Sequence, residues 1–104
     1  MRLRFLLLAL LVATPVDAEE ALSDARLFEA RGDPEGAIAV LERRLIAAPG
    51  DASAQLKLGQ LYESIRSEKA ARIYYATVAR NDAATPSLKR VALDRLRIID
   101  RSKP

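Results

Sequence analysis

The chain has 104 residues, half of them hydrophobic and 30% charged, with a net charge of +3, which suits one globular domain. It contains no Cys and no His, so a disulfide framework, a thiolate nucleophile, a Cys-ligated zinc and an imidazole base or metal ligand are all excluded. Aromatics are 5% and alanine is abundant, a composition that favours closely packed helices over a sheet.

Residues 1–18 read as a secretory signal peptide. Arg2 and Arg4 form a basic start, an apolar run follows from Phe5 to Ala13, and Thr14-Pro15 breaks it. Val16-Asp17-Ala18 then supplies a cleavage site, with Glu19 as the new N-terminus. An uncleaved anchor is the other reading. The apolar run falls short of the ~20 residues that span a bilayer, so no transmembrane span is expected after cleavage. With no Cys to acylate, a lipoprotein anchor is excluded. Arg outnumbers Lys 13 to 4, a bias associated with GC-rich bacterial genomes. Export and a periplasmic location are therefore expected. Processing would remove Arg2, Arg4 and Asp17 and leave only a small basic excess, which makes no case for nucleic acid.

Five helices are predicted in the domain 19–100. The first runs from about Glu19 to Arg31, with an apolar stripe through Leu22, Ala25, Leu27 and Phe28. Gly32 ends it; Asp33 caps the second, with Pro34 at its first position. The second helix carries Ala37, Val40, Leu41 and Leu45 and stops at Pro49-Gly50. Asp51 caps the third, which runs from about Ala52 to Ile65. Ser67 opens the fourth, with Ala71, Tyr74, Tyr75 and Val78, and Asn81-Asp82 closes it. Thr85-Pro86 starts the fifth, which runs to about Asp100; residues 101–104 form a frayed tail.

A 34-residue echo links these helices. Ala25 recurs as Gly59, Phe28 as Tyr62, Ala37 as Ala71 and Leu41 as Tyr75. A fixed period of this size marks a stack of helical hairpins, which points to a scaffold that binds along a face and argues against a catalytic pocket. Gly59 and Ala71 are small where the two helices of a hairpin cross. Phe28, Leu41, Tyr62 and Tyr75 are expected to fill the space between neighbouring hairpins.

The residues of this echo resemble the tetratricopeptide repeat pattern, W-x2-L-G-x2-Y, A-x3-F and P. The second repeat matches at Leu58-Gly59, Tyr62, Ala71 and Tyr75, with Gln55 where the family often has Trp. The first matches at Phe28, Gly32, Ala37, Leu41 and Pro49 and departs at Asp24 and Ala25. Arg66 stands where the first repeat has Gly32, so a non-glycine residue must make the second turn. The resemblance implies an all-α fold, antiparallel hairpins stacked as a short right-handed solenoid. Such arrays need at least three repeats, so the fifth helix is expected to act as a C-terminal cap on two, with Lys89, Arg90, Asp94, Arg97 and Arg101 on a polar outer face.

The resemblance also implies a concave groove lined by the first helix of each hairpin. Its rows would be Leu22, Arg26 and Glu29; Leu56, Gln60 and Glu63; and Arg90, Asp94 and Arg97. No row holds Asn, which disfavours a carboxylate clamp. A Leu22–Leu56 strip would suit an amphipathic helix or an extended segment, or it is packing alone. Glu29 and Glu63 could in principle act as acid and base on a glycosidic bond, but they are the ordinary solvent-facing residues of such helices. Tyr74-Tyr75 could form a stacking platform, though one core and one half-buried residue is the simpler reading. The expected function is a non-catalytic adaptor for a protein or peptide in the bacterial cell envelope, with no cofactor or metal. The alternative is a structural or homodimeric module, or a binder of anionic surface through the basic C-terminal helix.

Overall fold

The structure, a computed structural model, describes residues 17–102. The chain folds there into five helices: α1 (Ala18–Ala30), α2 (Pro34–Ala47), α3 (Ala52–Ser64), α4 (Glu68–Ala79) and α5 (Pro86–Arg101). No strand occurs among the described residues. Each helix packs on the next in sequence, and α5 also touches α3. The boundaries fall within about a residue of those expected. The body of the expected signal peptide lies outside the described residues. Ala18 and Glu19, at the expected cleavage junction, lie within them as the first residues of α1.

The helices start where side chains satisfy their free N–H groups. The Asp17 carboxylate accepts from Glu20 N–H at 2.8 Å, Asp33 from Gly36 N–H at 2.9 Å, and Asp51 from Ala54 N–H at 3.1 Å. The Thr85 hydroxyl accepts from Leu88 N–H at 3.2 Å. Ser67 opens α4 without a side-chain cap. Asp17, Asp51 and Thr85 stand 34 residues apart, so α1, α3 and α5 begin in one phase. Helix α5 thus occupies the first-helix position of a third repeat.

The two hairpin turns share one hydrogen-bond pattern. Gly32 N–H donates to Glu29 O at 2.9 Å and Asp33 N–H to Phe28 O at 2.9 Å. One repeat later Arg66 N–H donates to Glu63 O at 3.0 Å and Ser67 N–H to Tyr62 O at 2.8 Å. This is the Schellman closure, which needs a left-handed residue after the cap. Gly32 supplies it at φ 73° and Arg66 at φ 64°. The expected non-glycine turn is therefore present, and its backbone is strained by comparison with Gly32.

The core divides into two clusters. The first joins Ala21, Ala25, Ala37, Ile38 and Leu41 of the first hairpin to Ala54, Leu58 and Leu61 of α3. The second joins Ala52, Leu56, Ala71, Tyr75 and Val78 to Ala84, Ala92 and Ile99 around α5. Tyr62 packs against both. Tyr62 thus reaches both clusters, and Leu41 lies in the first, among residues of the first hairpin and α3. Phe28 and Tyr75 each rest a ring on a glycine of their own hairpin, while Tyr75 also shares the second cluster with Ala92 and Ile99 of α5. A Cβ at Gly36 would collide with the Phe28 ring, and one at Gly59 would stand 2.7 Å from the Tyr75 ring. The tightest approach at Gly59 is therefore to Tyr75, one turn beyond Ala71.

The outer face of α5 is less polar than expected. Arg90, Asp94, Arg97 and Arg101 are exposed and Lys89 is half-buried, but Val91, Leu93 and Ile98 are exposed as well.

Candidate functional site

Two faces of α3 are covered: Ala54, Leu58 and Leu61 point to the first hairpin, and Ala52, Leu56 and Gly59 to α4 and α5. The face left over is Ser53, Lys57, Gln60 and Ser64. Lys57 is half-buried and the other three are exposed. The same register on α1 gives Glu19, Ser23, Arg26 and Ala30, and on α5 Ser87, Val91, Asp94 and Ile98, all exposed. These three rows form the candidate binding face.

The expected rows fall partly on this face. Arg26, Gln60 and Asp94 sit at its centre. Leu56 is 8% exposed and belongs to the second core cluster, while Leu22 packs against the first. The Leu22–Leu56 strip is therefore packing rather than a presented anchor. The difference is one helical position, about 100° of rotation, which carries residue 56 under the neighbouring helix and brings Lys57 up in its place. Arg90 and Arg97 are exposed beside the α5 row, and Arg97 Nη1 lies 3.7 Å from the Asp94 carboxylate.

Glu29 and Glu63 bridge to the next first-position helix. Lys57 Nζ lies 2.9 Å from the Glu29 carboxylate, tying α3 to α1. Arg95 grips Glu63 with two nitrogens, Nε donating to Oε1 at 3.1 Å and Nη2 to Oε2, and so ties α5 to α3. The fully buried Tyr75 donates its hydroxyl to the same Glu63 Oε1 at 2.7 Å. The Arg95 hydrogen bonds hold the Glu63 carboxyl below its ordinary range, against the opposing effect of burial. Burial and the Glu63 carboxylate push the Tyr75 hydroxyl well up. A carboxylate held in its charged form and committed to two donors is a poor general acid. Gln60, Glu63, Ser64, Tyr75 and Arg95 together line a concavity of about 310 Å³ between α3 and α5.

Two polar groupings stand away from this face. Gln55, 4% exposed, donates from Nε2 to Pro49 O at 2.8 Å and accepts from Asn81 Nδ2 at 2.9 Å. Asn81 Nδ2 also donates to Gly50 O at 3.0 Å, so the amides pin the two inter-hairpin loops together. A hydrogen-bonded amide thus stands where the resemblance leads one to expect Trp. Tyr74 is half-buried and stacks on Tyr62 with ring centroids 5.7 Å apart and planes 8° apart. Both hydroxyls reach Glu42 Oε2, at 3.3 and 3.4 Å. Burial first, and then the Glu42 carboxylate, raises the pKa of each phenol.

Sequence reasoning missed Lys57, Val91 and Ile98 on the candidate face and Arg95 as the partner of Glu63. Lys57 and Val91 stand one repeat apart, so the 34-residue register could have found that pair once the face was set one residue later. Arg95 falls in the register of the core residue Leu61, which conceals its role.

A tetratricopeptide repeat family model matches residues 25–61, from the middle of α1 through α2 and most of α3. No curated protein and no solved structure matches the chain. The matched segment, the all-helical architecture and the 34-residue phase agree, and residues 25–61 are assigned as tetratricopeptide repeat, a repeat that generally serves as a protein–protein interaction module.

Proposed function

We propose that the chain is a non-catalytic adaptor of the bacterial cell envelope that holds a segment of a partner protein across the rows of α1, α3 and α5. The carrying observation is the pairing on α5 of two exposed apolar residues, Val91 and Ile98, at 39% and 49% exposure, beside the polar concavity of Gln60 and Ser64. Seven residues apart, Val91 and Ile98 share one side of the helix and offer two anchors for apolar side chains. The exposed Gln60 side chain offers an amide to the partner's backbone. Arg26, Lys57 and Asp94 place charges of both signs around it, which suits a segment of mixed charge. The apolar leader supports export, with processing at Ala18–Glu19. The N-terminal sequence of the protein isolated from the envelope tests that step.

A photo-crosslinking residue at Gln60, compared with one at Ile46, tests the groove. Ile46 is 83% exposed on α2. The expected result is a discrete crosslinked protein from position 60 only, lost in the Val91→Asp/Ile98→Asp variant. Equal crosslinking from both positions, or none from position 60, rules the groove out.

A further inference from the structure

The two ends of the helical row carry opposite charge. Helix α1 has four carboxylates and one cation, and α5 has five cations and two carboxylates. The register shows where these charges sit. Glu20 and Asp24 stand one repeat before Ala54 and Leu58, the residues that α3 buries against the first hairpin. Lys89 and Arg90 stand one repeat after Gln55 and Leu56, which α3 buries on its other side. At each open end, positions that are buried inside the molecule carry charge, acidic at one end and basic at the other. None of these four side chains has an ion-pair partner within the chain among the described residues.

Each open face also keeps one leucine in water. Leu27, 55% exposed, stands one repeat before Leu61, which is 2% exposed. Leu93, 44% exposed, stands one repeat after Gly59, which the Tyr75 ring covers. The two faces are thus complementary in sign, and both are apolar at the centre.

We infer that this chain binds a second copy of itself head to tail, α5 of one copy against α1 of the next. Leu93 meets Leu27 there, and Lys89 and Arg90 face Glu20 and Asp24. The contact is heterologous, so each copy keeps one free face of each kind and the association is open-ended. With one leucine per side and charges at the rim, the contact is weak and screened by salt. It uses neither Gln60 nor Val91 and Ile98, so it stands apart from the groove.

Sedimentation velocity of the full chain over a concentration series tests this inference. The average mass is expected to climb with concentration in low salt and to fall to that of the single chain at about 1 M salt, where the Debye length is about 3 Å. Lys89→Glu/Arg90→Glu and Glu20→Lys/Asp24→Lys should each remain single chains in low salt. Their equimolar mixture should associate again, which also shows that both variants are folded. A mass independent of concentration overturns the inference. So does a mass that levels off at two chains, since that marks a closed two-fold pair. Association of either variant alone, or association that survives high salt as contact through the apolar leader would, overturns it too.

Discussion

The two hairpins each seat one aromatic ring over one glycine, with the helices exchanged. In the first, the ring is Phe28 of α1 and the glycine is Gly36 of α2. In the second, the ring is Tyr75 of α4 and the glycine is Gly59 of α3. The register positions of the second pair hold Ala25 and Leu41 in the first hairpin, both fully buried. A methyl beside a leucine and a bare backbone beside a tyrosine are two divisions of a similar volume. The repeat thus conserves the filled space and leaves open which helix supplies the bulk. The turns show a parallel freedom. The same two hydrogen bonds close both, although one left-handed residue is glycine and the other arginine.

Exchanging residues between the hairpins tests this comparison. Gly59→Ala drives a methyl against the Tyr75 ring and should lower stability by about 1–3 kcal/mol in denaturant unfolding. In a Tyr75→Leu background the same alanine should cost almost nothing, because the pair then matches Ala25 and Leu41. An equal cost in both backgrounds breaks the volume argument. The turns should respond with opposite signs. Gly32→Ala should lose about 1 kcal/mol, and Arg66→Gly should gain a few tenths up to about 1 kcal/mol, both read from the denaturant midpoint.

The smallest effect concerns Glu63, a partner the first hairpin lacks in this form. Its pKa is lowered by Arg95, so its contribution is complete above the ordinary carboxylate range. That contribution is lost as pH falls through the depressed folded value. Glu63→Gln should therefore flatten the acid side of the stability profile relative to the unsubstituted chain. Identical acid limbs would show that the Arg95 contact adds nothing.

The repeat and all five helices were legible because their signals are local. Caps, the Pro and Gly positions and the 34-residue echo lie within or between neighbouring elements. The candidate face was less legible, since exposure depends on how the helices rotate against one another. A one-position error was enough to place Leu56 in a groove when it lies in the core. Cross-helix partners were hidden for a different reason. Lys57 reaches back 28 residues to Glu29 and Arg95 reaches back 32 to Glu63, so neither contact follows the period. Gln55 was visible only as a departure from the family pattern, because its partner Asn81 lies 26 residues away.

Among the described residues, Tyr62 alone of the partly buried hydrophobic side chains flanking the core packs against both clusters. In a row of helices each unit feels only its neighbours, so a disturbance at one end dies out unless something links the units. The Tyr62 ring provides that link at the midpoint. Loosening of α5 withdraws support from the second cluster, and through this ring the first cluster feels it. The molecule is therefore expected to melt in one cooperative thermal transition, and Tyr62→Ala should broaden it.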